Sequence, residues 1–195
     1  CTNDPEVYQQ LRMLRSHGMV REANDPDVQK AYKDANPDLN PDFIFSYPAY
    51  NVRNNEIGGI MGLSQLKRLD NIVKRRTENL YRFITQLDSN KYRTDFKLES
   101  SSNYAFNLIL IKPDINFVER LMTKMTNSGI EFRRGSAGGG NQTRQPYVKE
   151  LLQENFFLSL KETEHIHFFG FYIGNFPDLK DSEVDDICNI VNSVD

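Results

Sequence analysis

The segment from Asn55 to Leu87 carries a helical hydrophobic pattern over about thirty residues and contains no proline. Its apolar residues recur at three- and four-residue intervals and predict one long helix, with Ile57, Ile60, Met61, Leu66, Leu69, Ile72, Val73, Leu80, Phe83 and Leu87 along one face. Glycines 58, 59 and 62 would each weaken an isolated helix by roughly 1 kcal/mol relative to alanine. Their presence near the start predicts close approach of another backbone or a ligand. Helices of this length commonly bridge two subdomains.

The N-terminal part of the chain predicts one helix followed by a long irregular connection. Asn3 or Asp4 can cap a helix over about residues 5–16, and Gly18 suits the left-handed position that ends it. Residues 22–49 contain four prolines, many Asn and Asp residues and little periodicity, which predicts an irregular segment.

The C-terminal part predicts a small α/β unit. Strands are predicted over 103–111, 130–134 and 165–175. A helix containing Phe117, Leu121, Met122 and Met125 is expected to end at Gly129, and Asp181 or Ser182 is expected to cap a last helix with Val184, Ile187, Cys188, Val191 and Val194 along its apolar stripe.

Composition excludes some classes of function. The net charge is −3, whereas general nucleic-acid binders show a clear basic excess. The longest apolar run, Tyr104 to Ile111, is broken by Asn107 and is too short to span a bilayer. With only two cysteines, Cys1 and Cys188, no disulfide framework is implied, and a reducing, cytoplasmic location is expected.

A glycine-rich loop is the first candidate site. Residues 130–147 read "IEFRRGSAGGGNQTRQPY", with arginines on both sides of four glycines. Glycine backbone N–H groups can approach a phosphate closely, and arginines supply forked donors. No Gly-Lys-Ser/Thr follows, and the spacing does not match the dinucleotide fingerprint. Anion binding and a mobile surface loop with solvated arginines are therefore both open on composition.

A second candidate is "PAYNVRNNEIGG" at 48–59, where Asn51 and Arg53 precede a predicted helix start. A helix N-terminus favours an anion, but the residues alone favour the simpler interpretation, which is capping by Asn54 or Asn55 with Arg53 in solvent. His165 and His167 would face the same side of a predicted strand. Without a clear third ligand, no metal site is predicted.

These stretches, in this order, resemble the DegT/DnrJ/EryC1/StrS family of pyridoxal-phosphate enzymes that act on nucleotide-linked sugars. The segment "AYNVRNNEIGGIMGLSQLKRLDNIVKRR" resembles the family's Asn-x-Arg motif and the helix after it. "TNDPEVYQQLRMLRSHG" resembles the segment after the cofactor-lysine region, and "GIEFRRGSAGGGNQTRQPY" and "HFFGFYIGNFPDL" resemble the substrate loop and last strand.

The resemblance implies the C-terminal part of a fold-type-I α/β transferase that forms homodimers. Residues 1–74 would complete the large cofactor domain and residues 75–195 would form the small α/β domain. The cofactor-binding lysine, and with it the catalytic residues, would lie upstream of Cys1, so the chain alone is expected not to bind pyridoxal 5'-phosphate through a lysine.

The resemblance also assigns site residues. Asn51 would reach the cofactor phosphate of the neighbouring subunit, and Arg53 would lie on the substrate side. Arg133 and Arg134 would approach the nucleotide sugar, with Asn141 and Gln145 as further substrate-side candidates.

The implied reaction is transfer of an amino group from an amino acid such as glutamate to a nucleotide-linked 4-keto-6-deoxy sugar. Typical aminotransferases of the family have a proline and a histidine in the loop where this chain has "GSAGGGNQTRQP". Its Gly-Asn and Arg-Gln-Pro-Tyr elements resemble the sugar 3-dehydratase branch, so 3-dehydration is the alternative. A non-catalytic α/β ligand-binding module is the alternative from another class.

Overall fold

The computed structural model describes residues 2–52 and 56–195, and these divide into two compact units. The first contains the described chain before residue 53 together with Ser136–His167, and the second contains Glu56–Gly135 and Phe168–Asp195. These units do not follow the predicted boundary between residues 74 and 75. The assignment of residues 1–74 to a cofactor domain remains a prediction.

The first unit begins with α1, Pro5–Leu14, which confirms the helix predicted there. The Asp4 carboxylate accepts the backbone N–H groups of Glu6 and Val7 at 2.9 and 3.2 Å, so it satisfies two of the donors that a helix start leaves open. A small buried cluster forms the core of this unit, with Met13, Val20, Ala23, Leu39 and Ile44 as its members.

The prediction of an irregular connection over residues 22–49 was wrong for a third of its length. Helix α2, Pro26–Ala35, lies within it, and the Asp25 side chain accepts the N–H of Asp27 at 2.9 Å. Proline at the first helical position loses no hydrogen bond, because that N–H has no partner within the helix. Pro26 therefore starts a helix here, whereas the sequence pattern had been interpreted as a series of breaks. The short helix α6, Pro146–Lys149, also begins with proline.

The second unit begins with two helices where the sequence predicted one. Helix α3 spans Glu56–Leu66 and α4 spans Leu69–Gln86. They are separated at residues 67–68 by a turn, in which the Arg68 N–H donates to the Gln65 carbonyl at 3.0 Å. Helix α4 buries Leu80, Phe83 and Ile84, so its periodicity does mark a core face.

Helix α3 differs from α4 because none of its residues is buried. Its large apolar side chains lie in solvent, with Ile60 at 70% exposed, and the others are Ile57, Met61, Leu63 and Leu66. Apolar residues occur all round this helix rather than along one stripe. None of the described helices combines the length and apolarity that a bilayer crossing requires.

A three-stranded antiparallel sheet in the order β1-β3-β2 organises the rest of the second unit. The strands are β1, Ala105–Ile109, β2, Phe132–Arg134, and β3, Gly170–Gly174. Alternate residues face the core, so Phe106 lies opposite Ile173 and Leu108 opposite Phe171. Phe83 of α4 stacks on Phe106 with ring centroids 4.4 Å apart. Fully burying a side chain of this size contributes roughly 1.5–3 kcal/mol.

Helices α5, Ile115–Asn127, and α8, Asp181–Asn192, complete this core and confirm the two helices predicted in this region. The predicted cap of α8 was wrong, because Asp181 is already its first helical residue and Lys180 holds the cap position. Gly129 has the left-handed φ of 72° expected after α5. The predicted stripe on α8 buries Val184, Cys188 and Val191. The sheet, the helices and their order confirm the α/β fold class.

The strand predicted over 165–175 was half wrong. Residues 161–169 form helix α7, Lys161–Phe169, and only Gly170–Gly174 form a strand. His165 and His167 therefore lie two positions apart on a helix, where such positions do not face each other. The described residues contain no group of three side chains that could hold a metal ion.

Candidate functional site

The glycine-rich loop is held in place by backbone geometry that only glycine adopts readily. Gly138, Gly139 and Gly140 have φ values of 72°, 100° and 57°. A Cβ added at Gly140 would lie 2.2 Å from His167 Nδ1, and one at Gly139 would lie 2.7 Å from the Phe45 ring. The glycines therefore allow this loop to lie directly against neighbouring side chains in the first unit.

Arg144 fastens the end of this loop through a buried ionic network. Its Nε and Nη2 both donate to the Glu164 carboxylate, the former at 2.8 Å, and its Nη1 donates to Asp38 Oδ2 at 2.6 Å. The guanidinium also lies over the Phe157 ring, 4.1 Å from its centroid. Arg144 is only 8% exposed and is bonded to other side chains of the first unit. The interpretation of a mobile loop with solvated arginines is therefore wrong for this residue.

The network shifts the protonation of its members. Burial raises the pKa of Glu164, but hydrogen bonds from Arg144 and Asn141 and the charge of Arg144 outweigh that and hold the pKa below its usual range. The Arg144 pKa is raised, chiefly by its hydrogen bond to Glu164. Both groups are therefore charged at neutral pH, which is the condition for a stable buried pair.

His167 joins the same network as a neutral hydrogen-bond acceptor. It is 2% exposed, and its Nδ1 accepts the Asn141 backbone N–H at 3.0 Å. Burial lowers the His167 pKa, as does the nearby charge of Arg144, while a backbone hydrogen bond with Asp38 acts in the opposite direction. Protonation of Nδ1 would remove the acceptor on which the loop backbone rests.

Asn141 and Gln145, two predicted substrate contacts, are buried and already hydrogen-bonded within the first unit. The Gln145 amide donates to the carbonyls of Phe43 and Gly139 at 2.9 and 3.0 Å, and its oxygen accepts the Phe45 N–H at 2.9 Å. The Asn141 amide donates to Glu164 at 2.6 Å. These bonds connect the loop to residues 43–45. Substrate contact by either residue remains a prediction.

A cavity of about 700 Å³ lies beside the loop, also within the first unit. Gly138 and Gln142 contribute one part of its wall, and His17 and Arg21 contribute further polar groups. The remaining wall is largely aromatic and consists of Phe43, Phe45, Tyr47, Tyr50 and Tyr147, with Met19, Pro48 and Ala49. Aromatic faces next to a guanidinium and an imidazole suit a ligand with a planar ring and a negative charge.

Asn51 directly follows the cavity residue Tyr50 and is exposed. Its segment is anchored by backbone bonds, since His17 donates to the Tyr50 carbonyl at 3.0 Å and Val52 donates to the Arg15 carbonyl at 3.1 Å. This anchoring depends on Gly18, where a Cβ would lie 2.1 Å from the Tyr47 carbonyl oxygen. Arg53 lies outside the described residues.

Arg133 and Arg134 lie on β2 in the second unit. Arg133 is exposed and lies opposite Tyr172 in the sheet. Arg134 is half-buried, donates from Nη2 to the Phe168 carbonyl at 2.7 Å and lies over the Phe171 ring. Its Nε is buried without a hydrogen-bond partner in the described part of the chain, and burial lowers its pKa.

The sequence interpretation missed the network of Asp38, Arg144, Glu164 and His167. Glu164 and His167 are three positions apart, which places them on one face of a helix. Assigning a helix to residues 161–169 would have revealed that pair. His17 and Arg21, both in the cavity wall, carry no motif that marks them as ligand contacts.

Acid is expected to destabilise the first unit through His167. A His with a lowered folded-state pKa leaves stability intact above its unfolded pKa of about 6.5 and reduces it as pH falls below that value, by up to about 1.4 kcal/mol per pH unit. Urea unfolding between pH 8 and pH 5 measures this slope. The variant His167→Gln should flatten it. A slope that survives His167→Gln would contradict the assignment. The lowered pKa of Glu164 acts at lower pH, near 4.5 and below.

Comparison with known proteins decides the family. The model of the DegT/DnrJ/EryC1/StrS aminotransferase family matches residues 1–192. The chain belongs to this family. DegT/DnrJ/EryC1/StrS membership confirms the resemblance carried by the Asn-x-Arg segment and by the glycine-rich loop.

Members of the DegT/DnrJ/EryC1/StrS family with different activities are similar to this chain. GDP-4-keto-6-deoxy-D-mannose 3-dehydratase of Yersinia pseudotuberculosis is 27% identical over 97% of this chain and 48% of its own length. UDP-4-amino-4,6-dideoxy-N-acetyl-beta-L-altrosamine transaminase of Campylobacter jejuni is 23% identical over 66% of this chain and 31% of its own length. The chain thus spans about half the length, or less, of these curated relatives.

A solved structure of a DegT/DnrJ/EryC1/StrS protein confirms the fold. The Escherichia coli GDP-4-keto-6-deoxy-D-mannose-3-dehydratase, solved with bound hydrated pyridoxal phosphate, superposes with a TM-score of 0.56. It is 23% identical, over 97% of this chain and 48% of that chain.

Among the described residues, Asn51 is suited to contact pyridoxal phosphate. Asn51 is an exposed amide on an anchored backbone, which suits a hydrogen bond to a phosphate.

Proposed function

We propose that this chain is part of a pyridoxal-phosphate-dependent enzyme that removes the 3-hydroxyl group from a nucleotide-linked 4-keto-6-deoxy sugar. Similarity to a GDP-4-keto-6-deoxy-D-mannose 3-dehydratase over 97% of the chain carries this proposal. The glycine-rich loop supports it, because it lacks the histidine and the proline arrangement expected of typical aminotransferases. When bound, pyridoxal phosphate supplies an electron sink for reactions next to a carbonyl group.

Amino transfer from glutamate to the same class of keto sugar is the second candidate function. The family description and the transaminase relatives favour it. In either case the proposal includes a nucleotide sugar and an amino-acid donor as ligands, a homodimer as the assembly and the cytoplasm as the location. The small number of cysteines supports that location.

The two reactions differ in whether nitrogen from the amino-acid donor enters the sugar product. The complete enzyme of which this chain is proposed to be part, with added pyridoxal phosphate and nitrogen-15 glutamate, is incubated with GDP-4-keto-6-deoxy-D-mannose, and the sugar product is analysed by mass spectrometry. Dehydration gives a product without its 3-hydroxyl oxygen and without label. Amino transfer gives a product in which labelled nitrogen replaces the keto oxygen. Unchanged substrate in a preparation that binds both cofactor and GDP would contradict both functions.

In the proposed enzyme, Asn51 contacts the cofactor phosphate across the subunit interface, and Arg53, Arg133 and Arg134 face the nucleotide sugar. The cavity beside the glycine-rich loop suits the nucleotide part of that ligand, because it combines aromatic walls with Arg21. Asn141 and Gln145 contribute by holding the loop, and direct contact with substrate remains proposed for both.

Arg133→Ala is expected to weaken GDP binding by roughly tenfold to a hundredfold, because a charge-assisted hydrogen bond contributes about 1.5–3 kcal/mol. Isothermal titration with GDP measures the change. Lys97→Ala is a matched control, since it removes another exposed cation from the same unit. Equal losses in the two variants would show a general charge effect and would remove Arg133 from the proposed site.

A further inference from the structure

A groove of about 930 Å³ lies beside strand β2, within the second unit. Its floor is apolar and consists of Ile130, Phe132, Leu179, Ile187 and Ile190. Of the residues that line this groove, the proposed reaction uses Arg133 alone. An apolar groove of this size is a frequent feature of binding sites.

The strand beside the groove has an open edge. In the described part of the chain β2 pairs with β3 alone and lies at the end of the sheet. Gly135 donates to the Gly170 carbonyl at 2.7 Å, and hydrogen-bonded pairs alternate along an antiparallel ladder. The backbone groups of Phe132 and Arg134 therefore face the open side. Such an edge can accept a further strand.

The rim of the groove carries a net negative charge. Its lining contains the carboxylates of Glu131, Glu183 and Asp186 and the single guanidinium of Arg133. Three negative groups against one positive group leave a formal charge of −2. Glu183 is fixed in position, because its Oε2 accepts the Lys180 N–H at 2.7 Å at the start of α8. A ligand with positive charge is favoured at this rim.

Aromatic side chains close one end of the groove. Tyr104 is 67% exposed and Phe176 is 60% exposed, although both line it. The Tyr104 ring meets the Tyr172 ring edge to face, with centroids 6.2 Å apart. Aromatic faces beside carboxylates bind lysine and arginine side chains through cation–π and ionic contacts together.

We propose that this groove binds an extended peptide segment, rich in lysine or arginine and in apolar residues, as an added strand on β2. Backbone hydrogen bonds to Phe132 and Arg134 would set its register. Alternate apolar side chains would enter the floor, and basic side chains would reach Glu131, Glu183 and Asp186. The open edge favours an extended segment, the apolar floor favours apolar side chains in it, and the acidic rim favours lysine or arginine side chains.

The test measures the binding of a fluorescein-labelled peptide of alternating valine and lysine to this chain. Fluorescence anisotropy should show saturable binding. A peptide of the same sequence with alternate backbone nitrogens methylated keeps the charge but cannot form strand hydrogen bonds, so it should bind about tenfold more weakly. The double variant Glu131→Gln/Asp186→Asn should weaken binding of the unmethylated peptide by about tenfold.

The control variant Glu154→Gln/Asp178→Asn removes the same charge from exposed positions outside the lining of the groove and should bind the peptide as the parent chain does. Equal binding of the methylated and unmethylated peptides, or equal weakening in the control variant, would overturn the proposal in favour of non-specific attraction. Sedimentation that shows a dimer dissociating in the Glu131→Gln/Asp186→Asn variant would instead identify a second copy of the chain as the occupant.

Discussion

Replacing Arg144 with alanine is expected to lower the free energy of unfolding of the first unit by about 3–5 kcal/mol. The buried guanidinium makes charge-assisted bonds to the partly buried carboxylates of Glu164 and Asp38. Its removal leaves the Glu164 carboxylate, whose side chain is 15% exposed, without its counter-charge. An uncompensated buried charge costs more than a lost surface ion pair.

Amide hydrogen exchange under increasing urea measures this loss for the first unit separately from the second. The double variant Arg144→Met/Glu164→Met is the informative control, because replacing both partners by apolar side chains of similar volume removes the uncompensated charge. It should recover much of the lost stability. A loss below about 1 kcal/mol for Arg144→Ala, the range of an exposed pair, would contradict the buried network.

Gly140→Ala is expected to lower the free energy of unfolding by about 2–4 kcal/mol, because its backbone conformation (φ 57°, ψ −126°) is one that only glycine adopts readily and because a buried hydrogen bond is displaced. The new Cβ would lie 2.2 Å from His167 Nδ1, the atom that accepts the Asn141 N–H. The same urea experiment measures the change, and the exchange rate of the Asn141 amide reports the broken bond directly.

Gly138→Ala is a comparison variant that lacks the steric contact. Gly138 also has a left-handed φ, 72°, but a Cβ there meets nothing within 4 Å. Alanine at this position should cost only the backbone strain, about 1–2 kcal/mol, and should leave the Asn141 amide protected. Equal losses at Gly138 and Gly140 would show that contact with His167 contributes nothing.

The elements that sequence predicted correctly are those fixed by neighbouring residues. Helices α1, α5 and α8 each combine a cap or a left-handed glycine with an apolar stripe, and all of these signals lie within a few turns. Helix α2 was missed because Pro26 at a first helical position was interpreted as a break. In "HIHFFGFYIG" the apolar aromatic run is compatible with both helix and strand, and the structure divides it between α7 and β3.

The site was less predictable, because its geometry depends on residues far apart in the chain. The glycine-rich loop and Asn51 carry local motifs, and the structure places Gly138, Gly139, Gly140 and Asn51 in the first unit. The Arg144–Asp38 bond joins residues 106 positions apart, and no periodicity encodes such a pair. Packing also decides whether Asn141 and Gln145 face the solvent or the interior. The order of polar residues along the chain does not contain that information.

The apolar surface of α3 makes the folding of this helix dependent on its surroundings. An isolated helix of 11 residues is marginal in water, and the three glycines at 58, 59 and 62 weaken it by roughly 1 kcal/mol each. Any molecule that covers the helix binds the folded form and stabilises it by mass action. The helicity of residues 56–66 should therefore rise when this apolar surface is covered.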